Sequence, residues 1–158
     1  MIAVVWHSRT GAARAMSIAI SDGAGEAAYL LPAAEAMPAI LLGAQGYVFV
    51  CPENLGTMSG MMKEMFDRCY YPLLGRIEGR PYATAIAAGS DGSGAQAQID
   101  RIVTGWRLRR VAQPLTVHLD AQTPREILAE KTVSREALGA CCELGMAFAA
   151  VSYTHLTL

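Results

Sequence analysis

The chain has 158 residues, 53% of them hydrophobic and 17% charged, with a formal net charge of −1. Those values suit a single α/β unit with a real core and need no second domain. Near-neutral charge gives no long-range field for nucleic acid or a membrane surface, and no apolar run approaches the length of a membrane span; the amino terminus opens on a strand rather than a basic and apolar signal segment, so a cytoplasmic location is expected.

Ile2 to Trp6 read as the first strand and run into His7, Ser8, Arg9, Thr10 and Gly11, a turn with hydroxyl side chains before a helical stretch. This turn suits a single phosphate. Ser8 and Thr10 can donate hydroxyl hydrogen bonds, and Gly11 lets backbone amides approach at a helix start, where the dipole favours an anion. It is not a P-loop, because the Gly-Lys-Ser/Thr ending is absent, and not a dinucleotide fingerprint, because one glycine stands where three are needed. Taken alone it reads equally well as a helix start capped by Ser8 or Thr10.

A second strand is expected over residues 26–31 and a third over 47–51. The third leads into Pro52, Glu53, Asn54, Leu55, Gly56, Thr57 and Met58, a loop at the carboxyl end of a buried strand, where open α/β sheets bind ligands. Behind it Met58, Met61, Met62, Met65, Phe66, Cys69 and Tyr70 recur at helical spacing, with Ser59 available as N-cap, and this stripe reads as core. A fourth strand over 82–88 ends in Gly89, Ser90, Asp91, Gly92, Ser93 and Gly94; the helix after it, starting past Asp91 or Ser93, carries Ile99, Ile102, Val103 and Trp106 on one face. A fifth strand is expected over 114–119, and a last helix after Ser134 with Leu138, Cys142, Met146 and Phe148. Strands alternating with helical patterns argue for βαβ units and a parallel sheet, and five strands with helices on both faces suit the order 2-1-3-4-5.

From Val151 to Leu158 the pattern changes to β-branched and polar residues. This stretch resembles a translated sequencing-library adaptor fused to a truncated gene, so the domain is taken as residues 1–150 and residues 151–158, His155 included, as a non-native tail without function; a native tail is the alternative.

The two loops together resemble the flavodoxin-like family of FMN-binding proteins, in particular its NAD(P)H-dependent FMN and quinone reductase branch. Ser8, Arg9, Thr10 and Gly11 look like that family's phosphate loop, Ser/Thr-x-Thr-Gly-x-Thr, with Ala13 where the last threonine stands and Arg9 or Arg14 as compensating cations. Pro52, Gly56, Met58, Gly60, Lys63 and Asp67 match the branch's Pro-x-x-x-Gly-x-Met-x-Gly-x-x-Lys-x-x-x-Asp pattern, and the loop from Gly89 falls where the family places its other isoalloxazine loop. The resemblance implies a three-layer flavodoxin-like sandwich with FMN as cofactor and NAD(P)H as co-substrate. It also implies a small-molecule electron acceptor and commonly a homo-oligomer. Ser8, Arg9, Thr10, Gly11, Ala12 and Ala13 would hold the phosphate. Pro52, Glu53, Asn54, Leu55, Gly56, Thr57 and Met58 would frame one side of the ring, their backbone amides donating to it, and Gly89, Ser90, Asp91 and Gly92 the other. Glu53 is expected in solvent or oriented to an incoming substrate. Since the flavin performs the chemistry, no side chain is needed as acid, base or nucleophile.

Other chemistries lack their residues. A phosphoacceptor domain needs a carboxylate cluster after the first strand and an aspartate ending the third, where Trp6, His7, Ser8 and Cys51 stand. A cysteine phosphatase needs an arginine closing the loop after Cys51, and a hydrolase needs a Gly-x-Ser-x-Gly elbow; neither occurs. Cys51, Cys69, Cys141 and Cys142 have no Cys-x-x-Cys spacing and read as buried small hydrophobes, Cys51 drawing notice by its place before the loop. His7, His118 and His155 lack ligand-like spacing, so no metal is expected. Arg101, Arg107, Arg109 and Arg110 read as a solvated helix end. A single-electron carrier between protein partners, as in flavodoxins, is the competing function. No aromatic in either ring loop, together with the modest charge, favours the reductase, since an uncovered flavin face leaves room for a nicotinamide or quinone. A scaffold that has lost FMN is a third reading, suggested by Ala13 and the tail.

Overall fold

β1 (Ile2–Trp6) lies inside the sheet because every one of its residues is paired on both sides, with β2 (Ala28–Pro32) and with β3 (Gly46–Asn54), both parallel. The computed structural model describes residues 1–156. β3 pairs in turn with β5 (Pro81–Ala88), giving the order β2-β1-β3-β5, and the next position is shared by two short strands. β6 (Arg109–Arg110) pairs with the start of β5 and β7 (Leu115–His118) with its end, both parallel. The expected 2-1-3-4-5 order is therefore present, with its fifth strand divided. A further strand, β4 (Thr57–Met58), folds back antiparallel on the end of β3.

Side chains of successive strand residues point to opposite faces, and both faces of this sheet are covered. Along β3, Tyr47, Phe49 and Cys51 enter one core and Val48 and Val50 the other. The first core is roofed by α3 (Gly60–Leu73) and α4 (Ser93–Gly105), through Met62, Met65, Phe66, Ile99, Val103 and Trp106. Ring centroids 5.1 Å apart for Phe49 and Phe66, and 5.6 Å for Phe66 and Trp106, make a continuous aromatic column through it. The methionine stripe is thus core, although Met61 lies on the exposed side. α2 (Pro38–Gly43) joins this layer, held by Arg80, which donates to Leu42 O at 2.7 Å, while the 3-10 turn before it (Ala33–Glu35) is held by Arg68, whose guanidinium donates to Ala33 O at 3.1 Å.

The second core lies under α1 (Ala12–Ala24) and α6 (Arg135–Leu156). Two glycines let these helices touch backbone to backbone, since a Cβ on Gly23 would overlap Cys142 O and one on Gly145 would overlap Ile20 O. The inward face of α6 carries Cys141, Leu144 and Phe148, whereas Met146, expected inward, is exposed. The periodicity of a long, largely apolar helix leaves its rotation to be set by such close contacts. The expected second strand starts two residues late because Gly25–Ala27 form a 3-10 turn. Of the arginine cluster, Arg101, Arg107 and Arg109 are exposed, but Arg110 is pinned: it pairs with Asp100 and lies 4.8 Å over the Tyr82 ring.

α6 does not stop at Ala150, as the change in composition suggests, but continues helical to Leu156, with Ser152 buried; residues 157 and 158 lie outside the described residues. The Ser152 hydroxyl has no hydrogen-bond partner among the described residues, an unfavourable choice for a core position. Phe148, one turn earlier, packs against Gly46 and is therefore at the amino edge of the sheet, opposite the loops that follow the strands. We treat residues 151–158 as foreign to the domain, a proposal that truncation tests. A chain ending at Ala150 should keep its far-UV spectrum and its melting temperature; a marked loss of thermal stability on truncation would show the segment to be native structure.

Candidate functional site

A cleft of about 230 Å³ opens at the carboxyl edge of the sheet, between the loops that leave β1, β3 and β5. Ser8, Arg9, Thr10, Ala12 and Ala13 line it from the first loop. Pro52, Glu53, Asn54, Leu55 and Gly56 line it from the second, and Gly89 and Ser90 from the third. Twelve of the seventeen expected site residues thus meet in one place. Gly11, Thr57, Met58, Asp91 and Gly92 do not line it, and each shapes a neighbouring turn instead.

At the first loop, Gly11 takes φ of 105° and serves as the N-cap of α1, its N–H donating to Ser8 Oγ at 3.1 Å. Neither Ser8 nor Thr10 caps the helix in the usual way. The left-handed turn at Gly11 brings the first helical amides, those of Ala12 and Ala13, to the cleft, and such amides have no carbonyl partner within a helix. No acidic residue stands in the first turn. Two hydroxyls, free amides and the positive end of the helix are the donor set a phosphate monoester needs, so this end of the cleft fits FMN.

The second loop is a two-residue β-hairpin. Glu53 pairs with Met58 and Asn54 with Thr57, leaving Leu55 and Gly56 at the tip with φ of 55° and 74°. Positive φ at both tip positions is what the tightest hairpin turns require, and Gly56 adopts it freely, whereas Leu55 is strained by about 1 kcal/mol or more. Leu55 is fully exposed at the cleft mouth. The amide of Met58 donates to Gln98 Oε1 at 2.8 Å and its side chain is buried, so neither is turned to the cleft. Thr57 is taken up with the turn, its hydroxyl donating to Asn54 O at 3.1 Å. Lys63 and Asp67, also in the matching pattern, form an exposed ion pair at 2.6 Å on α3, worth a few tenths of a kcal/mol.

Glu53 departs from expectation. Its carboxylate is half-buried at the cleft rather than free in solvent, and it accepts from the Gly92 amide at 2.8 Å and the Ala95 amide at 3.0 Å, capping α4 from the other loop. Gly92, at φ 94°, turns the chain into α4, and Asp91 holds Ser93 through its hydroxyl at 2.7 Å. Gly94 has no room for a side chain, because a Cβ there would overlap Gly56 O. At Gly89 a Cβ would overlap Ala121 O. These glycines set how closely the loops after β3 and β5 and the segment after β7 approach one another.

The sequence reading missed the fourth wall. Leu119, Ala121, Ile127 and Lys131 line the cleft from the segment after β7, which includes α5 (Pro124–Leu128), and Ala87 from β5. No motif marks that segment; its one readable signal is Thr123 with Glu126, a capping box whose two hydrogen bonds both form.

Beneath the loops, His7 Nδ1 is 2.9 Å from the buried Ser59 Oγ. Ser59 begins α3 but gives its side chain to this pair rather than to the helix amides. Burial pushes the Cys51 thiol up to about 12, so it remains protonated at neutral pH and has no thiolate character. Burial also holds the His7 imidazole below its ordinary 6.5.

The sequence model of the family described as NADPH-dependent FMN reductase matches residues 12–123. No curated protein sequence matches. Among solved structures, the chain is similar to a flavodoxin from the domain Archaea, with 18% identity, 97% of this chain and 99% of that one covered, and a TM-score of 0.78. A flavodoxin described as a WrbA-like protein, from Agrobacterium tumefaciens, gives 18% identity, coverage of 98% and 98%, and a TM-score of 0.79. The two-electron reduced flavodoxin of Megasphaera elsdenii gives 15% identity, coverage of 95% and 99%, and a TM-score of 0.70. At these identities the structures establish the flavodoxin-like fold.

Two outcomes follow from this geometry. Glu53→Ala leaves two amides at the start of α4 uncapped and should lower unfolding free energy by about 2 kcal/mol in a denaturant titration; an unchanged midpoint would remove the carboxylate from the structural account. Because the folded chain holds His7 below its unfolded value, the unfolded state binds the proton first as pH falls. Stability is therefore lost as pH drops from about 6.5 toward the folded value, and thermal melts between roughly pH 7 and pH 5 should fall more steeply for wild type than for His7→Gln.

Proposed function

The chain belongs to the NADPH-dependent FMN reductase family of FMN-binding oxidoreductases, and on that footing we propose that it takes hydride from NADPH or NADH and delivers electrons to a quinone, a flavin or a similar small acceptor. The observation that carries the reading is the open cleft mouth: among the described residues none that lines the cleft is aromatic, and Leu55 stands fully exposed at its rim. A planar nicotinamide or quinone can therefore stack where an aromatic cover would block it. FMN, when bound, supplies the hydride and electron chemistry. The chain's residues bind and orient. Ser8, Thr10 and the amides of Ala12 and Ala13 would hold the phosphate, and Asn54, Leu55 and Gly56 would bound one side of the ring with Gly89 and Ser90 opposite. Glu53 fixes the spacing between those sides through its two hydrogen bonds to α4.

Thr10 carries more of the phosphate than usual because Ala13 offers no hydroxyl. Thr10→Ala should weaken FMN binding by about 1.5–3 kcal/mol, ten-fold or more in the dissociation constant; an unchanged constant would remove the hydroxyl from the site.

The likeness to flavodoxins keeps a single-electron carrier as the second reading, and one experiment separates the two. Added anaerobically, NADPH or NADH should bleach the flavin absorbance, and a quinone should restore it. Leu55→Trp should slow that bleaching by a larger factor than it weakens FMN binding, since the new ring would occupy the nicotinamide's place, not the phosphate's. Flavin that stays oxidised with both nucleotides, yet is reduced by a partner reductase, would establish the carrier.

A further inference from the structure

We propose that Lys131 is a positioning residue for the phosphate end of the cofactor site, acting through the strap from Thr123 to Lys131 and resting on the FMN assignment above. One hydrogen bond fastens the strap to the phosphate loop: the Lys131 amide donates to Thr10 O at 2.8 Å. The Lys131 carbonyl oxygen lies over Gly11, 3.6 Å from where a Cβ there would stand, so a side chain at that position would be in van der Waals contact with the strap. The same residue closes the strap on itself, its ammonium donating to the carbonyls of Glu126 at 2.6 Å, Ile127 at 2.9 Å and Ala129 at 2.6 Å. All three ammonium donors are used, and the cation sits at the carbonyl end of α5, where the dipole favours it.

Five residues are too few to hold a helix in water, so α5 depends on its ends. Thr123 and Glu126 bond reciprocally at the start, at 3.2 and 3.1 Å, and Lys131 secures the finish. Between them Ile127 lines the cleft. Lys131 thus couples two things that are separate in sequence: the folding of the strap and the orientation of the Thr10–Gly11 peptide, which directs the first amides of α1. With the ammonium removed, the strap frays from its carboxyl end and the Thr10 carbonyl loses a fixed donor. The phosphate then meets a loop that must be ordered on binding. Lys131 and Arg9 are the basic residues among the described residues that line the cleft, and the charge each brings near it favours a dianion.

A role confined to the phosphate end separates FMN from riboflavin, which has the ring and the ribityl chain but no phosphate. Flavin-stripped wild type, Lys131→Met and Thr123→Ala would each be titrated with FMN and with riboflavin, following quenching of flavin fluorescence. Lys131→Met keeps the backbone amide and the aliphatic stem. It should weaken FMN by about ten-fold while leaving riboflavin within about two-fold. Thr123→Ala, which opens the strap from its other end without touching a charge, should move the ratio in the same direction. An unchanged FMN-to-riboflavin ratio in both variants, or an equal loss for both flavins, would overturn the role of Lys131 while leaving the FMN assignment in place. If Lys131→Met fails to fold, as circular dichroism would show, the Thr123→Ala ratio decides. A wild-type chain that binds neither flavin would overturn the assignment and this inference together.

Discussion

The Glu53 carboxylate, accepting from the amides of Gly92 and Ala95, is the contact on which the cleft depends. A sheet of this kind delivers its loops to one edge but does not fix the distance between them. Here one loop ends in a hairpin and the other starts a helix, and a charged side chain from the first satisfies amides of the second that the helix leaves unpaired. The close approach of Gly94 to Gly56 O completes the joint from the backbone side. The mouth of the cleft is thereby built as a unit in which the loop after β3 and the start of α4 are joined by side chain and backbone alike.

The same economy recurs on the other face, where backbone contact between α1 and α6 through Gly23 and Gly145 presses both helices onto Val48, Val50 and Val4. α1 must sit low on the sheet for its amino end to reach the cleft edge, so this packing positions the helix whose dipole and first amides face the cleft. Core geometry and ligand geometry are one problem in this fold, solved at opposite ends of one helix.

Much of the fold was legible because its signals are local. Apolar runs at strand spacing, the 3.6-residue recurrence of Met62, Met65, Phe66 and Cys69, and glycines at the loop starts each report on their own neighbourhood. The three loop regions were found the same way. What was hidden needs a partner distant in sequence. Nothing near Glu53 shows that its acceptors face an amide 39 residues away, and Lys131 acquires meaning only when the segment after β7 folds back over Thr10. The rotation of α6 was misread for a related reason: small and large apolar residues surround that helix, so composition does not choose the inward face and the glycine contact does. The continuation of α6 past Ala150 was misread because propensity in a final turn is weak beside the helix it extends.

The division of the fifth strand position has a consequence for the life of the chain at high concentration. An open sheet ends in two strands with unpaired backbone, and a long flat edge of that kind recruits other chains into fibrils or aggregates. On one side the edge consists of two residues at Arg109–Arg110 and four at Leu115–His118, interrupted by a stretch containing Pro114, which has no amide to donate. The opposite edge strand is five residues long and ends in Pro32. Neither border offers an uninterrupted template longer than five residues. The break that departs from an ideal five-stranded sheet therefore serves colloidal stability, and a variant that joined the two short strands into one would be expected to gain pairing energy within the molecule and lose protection between molecules.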